Sequence, residues 1–149
     1  MEAGAAYAWE LVSAQVRDCR SDRRVQLYAI REDEMPGWMT QQHNFMNLNT
    51  RGIDAQRGAR ASLYRMDSVT GIDFIVQAVL VTQRATAYAC LEACRAIENF
   101  DLDAYGIVCH GATHRSVAFC ILMAALVYHN AEVMLTTRRT MRAADERGL

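Results

Sequence analysis

Gly106-Ile107-Val108-Cys109-His110-Gly111-Ala112-Thr113-His114-Arg115-Ser116-Val117 decides the reading of this chain. Tyr105 to Cys109 is a compact apolar run, as a strand buried on both sides should be. A short loop containing Gly111 follows, and from His114 to Tyr128 length and composition are helical. Strand, glycine loop, helix is the arrangement in which several backbone N–H groups turn inward while the helix start adds partial positive charge, a seat for an anion.

Outward from that stretch the pattern continues. Glu132 to Thr136 reads as a further strand, so that strand, loop, helix and strand make a crossover unit of a parallel sheet. Upstream, Val25 to Ile30 alternates as a strand does, and Asn44 to Leu48 reads as a short one. Ala5 to Arg17 is the body of a first helix reaching to Cys19, with Tyr7, Leu11, Val12 and Ala14 on its apolar side. Thr70-Gly71-Ile72-Asp73 opens a segment with Phe74, Ile75, Ala78 and Val79 at helical spacing. A longer helix follows from about Thr82 to Asn99, with Ala85, Ala89, Ala93 and Ile97 on one face. Thr50 to Arg65 turns polar and is expected to be a long surface loop able to close over a ligand. The expected architecture is α/β, a three-layer-like, open, mostly parallel sheet of about four strands with flanking helices. Residues 1–149 form one domain in this reading, since a chain of 149 residues and 16.8 kDa suits a single core.

Composition limits the chemistry. A net charge of -1 argues against a large sequence-blind nucleic-acid surface. All 16 basic residues are arginine, which removes Schiff-base lysines and the lysine of a nucleotide-binding P-loop. Cys19, Cys90, Cys94, Cys109 and Cys120 are odd in number and lack paired zinc spacing, and His43, His110 and His129 show no ligand spacing with them, so neither metal nor cofactor is expected. The longest apolar run, Val117 to Val127, is short of the ~20 residues of a membrane span, and no secretory pattern opens the chain. A cytoplasmic protein without membrane partners is the expectation.

In the deciding loop, main-chain N–H groups from His110, Gly111, Ala112, Thr113 and His114, the Arg115 guanidinium and the Thr113 and Ser116 hydroxyls all suit phosphate, with Thr70 and Gly71 beside them. Arg31, Arg138 and Arg139 are expected to flank the pocket at one remove. Cys109 followed after five residues by Arg115 and Ser116 also meets the minimal pattern of cysteine-dependent phosphatases, in which a thiolate attacks phosphorus. The His that usually precedes that Cys is Val108 here, and no proton-donating acid can be assigned, although Asp54 and Asp73 fall near plausible loops. A third reading takes Arg17, Arg20, Arg23 and Arg24 as an RNA-facing patch, partly offset by Asp18 and Asp22.

Cys109 to Val117 resembles the Cys-Thr-Gly-Gly-x-His-Arg-Ser-Val signature of the C-terminal domain of the RapZ family, matching at Cys109, Gly111, His114, Arg115, Ser116 and Val117. Val69-Thr70-Gly71-Ile72-Asp73 is similar to that domain's Met/Leu-Thr-Gly-Leu-Asp motif. Arg138-Arg139-Thr140 stands where the family has His-Arg-Asp or His-Arg-Thr. Together the three cover roughly residues 25–142. The resemblance implies an α/β domain that recognises a phosphorylated amino sugar or similar metabolite, glucosamine-6-phosphate in the best-known members. It also implies oligomerisation and, in some members, a role as adaptor for small RNAs and a ribonuclease. The family's P-loop domain has no counterpart in this sequence, so nucleotide hydrolysis does not carry over. Departures fall on one half of the pocket. In the family's Phe-Gly-x-Lys-His-Gly stretch, at about Tyr28 to Asp33, Arg31 replaces Lys and Glu32 stands in place of His. The Asp-x-Arg element near Asn47 to Asn49 has lost its charges, Ala112 replaces a Gly and His110 a Thr. A different metabolite follows as the expectation.

Overall fold

The computed structural model of the chain describes residues 1–55 and 65–149. Four strands, β1 (Gln26–Arg31), β2 (Phe45–Asn47), β3 (Ala104–Cys109) and β4 (Glu132–Leu135), form one open sheet in the order β2-β3-β1-β4, every pair parallel. Helices α1 (Ala5–Val16), α2 (Gly37–Gln42), α3 (Phe74–Val81), α4 (Arg84–Asn99), α5 (Arg115–Leu126) and α6 (Arg138–Glu146) flank it. The α/β architecture expected from the sequence is the one observed.

Strand alternation divides the core. Leu27, Ala29, Met46, Tyr105 and Ile107 point to the face carrying the main cluster, where Phe119 and Met123 of α5 and Ala93, Cys94 and Ile97 of α4 meet them. On the opposite face Ile30 and Val108 pack with Met39, rimmed by Tyr28, Met35, Trp38 and Phe45. Gly106 lets α2 approach that face, because a Cβ there would sit 2.3 Å from Met39 Sδ.

Connections leave the two central strands in opposite directions. From β1 the chain runs over β3 to the β2 edge; from β3 it runs over β1 to the β4 edge. The carboxyl ends of β1 and β3, in register at Arg31 and Cys109, therefore border a topological switch point, where open α/β sheets hold ligands.

Several details differ from expectation. Helix α1 stops at Val16, and Asp18 and Cys19 turn back onto Gln15 and Val16 carbonyls instead of continuing to residue 19. Its inner face is Ala5, Ala8 and Val12, while Tyr7 and Ala14 face outward, since the two faces offer similar three-and-four spacing. In α3 it is Val76, Val79 and Leu80 that are buried, and Phe74 is exposed. The residues after β4 form α6, capped by Thr137, whose hydroxyl accepts from Thr140 N–H at 3.2 Å. The lid expected over residues 50–65 falls mostly outside the described residues.

Candidate functional site

Helix α5 begins without a side-chain cap: the His114 side chain at the N-cap position accepts no bond from the first turn. Among the described residues, none of the seven consecutive main-chain N–H groups from Gly111 to Val117 has a protein acceptor. Thr113 C=O is turned the other way, accepting from Gly71 N–H at 2.7 Å, and Ala112 takes a left-handed conformation with φ 50°. The loop thus spends its carbonyls on the protein and leaves its amides unspent. In front lies a cavity of about 560 Å³, lined by Cys109, His110, Gly111, Thr113, His114 and Arg115 on one side and by residues 52–55 and Met66 on the other.

Arg115 is fixed at the cavity wall. Its Nη2 donates to Asn49 Oδ1 at 2.7 Å and its Nη1 leans on the Ile53 carbonyl at 3.4 Å. Asn49 in turn donates through Nδ2 to Glu32 at 3.1 Å, and Asn47 Nδ2 holds the other Glu32 oxygen at 3.1 Å. The chain Glu32–Asn49–Arg115 aims a guanidinium while leaving most of its five N–H donors uncommitted among the described residues. Asn49 and Glu32 occupy positions where the sequence departs from the resembled motifs.

The His114 ring is engaged by the protein itself. Its Nε2 lies 2.7 Å from Met66 O and 2.9 Å from Val69 O. Carbonyls only accept, so the neutral ring carries its proton on Nε2 and spends it there. Burial, followed by the nearby Arg139 and Arg115 charges, holds the ring's pKa below the ordinary 6.5, despite the carbonyls' opposite pull. His114 is therefore a neutral strut, and among the described residues that line the cavity the positive charge comes from Arg115.

The remaining candidates divide. His110, Gly111 and Thr113 line the cavity, although the Thr113 hydroxyl donates to Gly111 O at 3.1 Å. Ala112 and Ser116 are buried behind it; the Cys109 thiol donates to Ser116 Oγ at 3.1 Å, so that hydroxyl faces sulfur and not the cavity. Thr70 and Gly71 pack on the far side of the loop as its support. Asp73 accepts from Thr70 N–H at 2.8 Å and pairs with Arg147. Arg31 stands at the end of β1 beside Cys109, but its guanidinium is paired with Asp33 at 2.9 Å and with Glu34 at 3.6 Å. Arg138 and Arg139 line a separate cleft. Asp54, unassigned from sequence, lines the same cavity as Cys109, and its main chain is clasped by the Gln83 amide in both directions.

Of the arginines read as an RNA patch, Arg23 is buried and bonded to Glu98 and Asp101, which removes it from any surface. Among the described residues no group of three or more His, Cys, Asp or Glu could hold a metal ion, and no single helix is long and apolar enough to cross a membrane. The chain matches no protein-family model, no curated protein and no solved structure.

Proposed function

We propose that this chain binds a phosphorylated small molecule, of the sugar-phosphate kind, at the loop from Cys109 to Val117, and acts as a sensor or adaptor. The observation that carries the reading is the run of seven N–H groups, Gly111 to Val117, without a protein acceptor among the described residues, of which Gly111, Thr113, His114 and Arg115 line a cavity whose wall holds the Arg115 guanidinium. A buried donor without an acceptor is costly, so such a run is stable where water or an anion fills it. The uncapped start of a twelve-residue helix adds its dipole in the same direction. The resemblance to the RapZ C-terminal domain supports the same ligand class and brings with it assembly of identical copies as part of the proposal, with an RNA-binding adaptor as a separate alternative.

The test is calorimetric titration with a panel of sugar phosphates and the corresponding free sugars. Phosphorylated members bind and free sugars do not, and Arg115→Ala weakens binding by about 1.5 to 3 kcal/mol, the range for hydrogen bonds to charged groups. Equal affinities in wild type and variant would remove the site.

A second reading, a cysteine-dependent phosphatase, gains one specific support: Asp54 shares the cavity with Cys109 and Arg115, supplying an acid where the sequence had placed none. Hydrolysis of an aryl phosphate by the wild type, lost in Cys109→Ser and reduced in Asp54→Asn, is its expected outcome. Absence of wild-type turnover ends it.

A further inference from the structure

Behind the Met66–Ser68 turn lies a second cleft, of about 450 Å³, lined by Arg138, Arg139 and Arg142 of α6 and by Arg147 just after it. The turn is the wall between the two hollows: Met66 lines the first, Asp67 and Ser68 the second. The cleft's charges do not cancel. Asp67 is paired with Arg65, and Asp73 with Arg147. Arg138 and Arg142 are exposed and make neither an ion pair nor a hydrogen bond among the described residues, and Glu146 stays out of ion-pair range of both. Four apart, these two arginines share one face of α6 with roughly 5–6 Å between their Cβ atoms, a reach suited to two or three linked phosphates. Like charges so placed repel, and an anion between them relieves the repulsion.

Arg139 connects this cleft to the first site. Its Nη2 donates to Met66 O at 2.9 Å and to Val69 O at 2.7 Å, the same two carbonyls that accept from His114 Nε2 on the other side. One pair of acceptors is thus shared by a residue of each hollow.

We propose that the cleft between α6 and the Met66–Ser68 turn is a second anion site, specific for linked phosphates, and that its occupancy is felt at the loop through the shared Met66 and Val69 carbonyls. An anion that draws the Arg139 guanidinium toward itself weakens its hold on those oxygens and leaves them to His114 alone. The existence of the second site is independent of the function proposed for the first; the transmission to the loop rests on that reading.

Titration of the full chain with inorganic tripolyphosphate tests it, with nucleoside triphosphate as a parallel arm. Tripolyphosphate binding survives in Arg115→Ala, whose first site is weakened, and falls at least tenfold in the Arg138→Ala/Arg142→Ala double variant. In Arg115→Ala the His114 Nε2–H resonance shifts on saturation with tripolyphosphate. Equal affinity for the two ligands places recognition in the phosphates, and tighter binding of the triphosphate nucleotide names a nucleotide as their source. Three results overturn the proposal: a double variant that titrates like wild type, a His114 resonance that does not move, or a short RNA that binds far more tightly than tripolyphosphate with the same arginine dependence. Both replaced side chains are exposed and make neither hydrogen bond nor ion pair among the described residues, so the double variant is expected to keep the fold, which its circular dichroism spectrum checks. Loss of phosphate binding in Arg115→Ala with tripolyphosphate binding retained, or the reverse, separates failure of one site from failure of the other.

Discussion

Gly71 has no side chain because no space exists for one. A Cβ there would lie 2.4 Å from Ala118 N, 2.4 Å from His114 O and 2.7 Å from Val117 Cβ, two of them main-chain atoms of the α5 start that cannot yield without moving the anion loop. Its own N–H holds Thr113 O at 2.7 Å, so the residue both supports and shapes the loop from behind. Gly71→Ala is expected to cost about 2 to 3 kcal/mol, the upper range for overpacking a filled site, and to weaken phosphate binding in the same protein. Chemical denaturation and titration read the two effects, and a fully stable variant would show the contact to be loose. Ala112 presents the opposite case. Its φ of 50° places a Cβ where L-residues pay about 1 kcal/mol, at the position where the resembled signature has glycine. Ala112→Gly is expected to be neutral or slightly stabilising, relief of strain offsetting added freedom of the unfolded chain, whereas Ala118→Gly inside α5 costs about 1 kcal/mol. Equal losses at the two positions would contradict the strain argument.

The short segment from Met66 to Val69 owes its place to its neighbours. A single 3₁₀ turn has little stability of its own, and its outer carbonyls are held by His114 and Arg139. Because burial depresses the His114 pKa in the folded state, protonation is easier in the unfolded chain. The contribution is therefore complete above the unfolded value near 6.5 and is lost as pH falls through the lower folded value. Wild-type unfolding free energy is expected to decline below about pH 6.5 more steeply than that of His114→Gln, which keeps a donor but cannot titrate. Parallel curves for the two proteins from pH 7.5 to 5 would sink the assignment. Elements of this kind mark the limit of sequence reading. β3 and the glycine loop were legible because a continuous apolar run and a single glycine are local signals, and so was α4 from its repeating alanines. Helix α6 was not read from the sequence, since only Thr140 and Ala144 of its nine residues are buried and five of the nine are charged, so no wide apolar stripe marks it. Asn49 was missed for a different reason: its partner Arg115 is 66 residues away, and nothing in either residue's own neighbourhood announces the bond.

Across the whole molecule, the two ends of the sheet are held by different chemistry. The carboxyl ends of the strands open onto the amide loop, while the opposite end is closed by a carboxylate on which three elements converge. Glu98 near the end of α4 accepts from Arg20 N–H at 2.8 Å, from Arg23 Nε at 3.0 Å and from Tyr128 OH at 2.8 Å. The Tyr128 hydroxyl is pushed to a higher pKa, first by burial and then by the surrounding Cys94 and Glu98, so it remains a donor throughout the working range. Arg23, drawn from sequence as one of four surface arginines, is 8% exposed and serves as the strut that ties the α1–β1 connection to α4. Its neighbour Arg24 faces solvent. The two therefore separate a structural role from a surface one. Arg23→Leu leaves the half-enclosed Glu98 carboxylate with one charged donor fewer and is expected to cost about 2 to 3 kcal/mol, while Arg24→Ala stays within about 0.5 kcal/mol. Urea denaturation of both variants at neutral pH decides the matter: similar midpoints would mean that the Arg20 N–H and the Tyr128 hydroxyl satisfy Glu98 without Arg23.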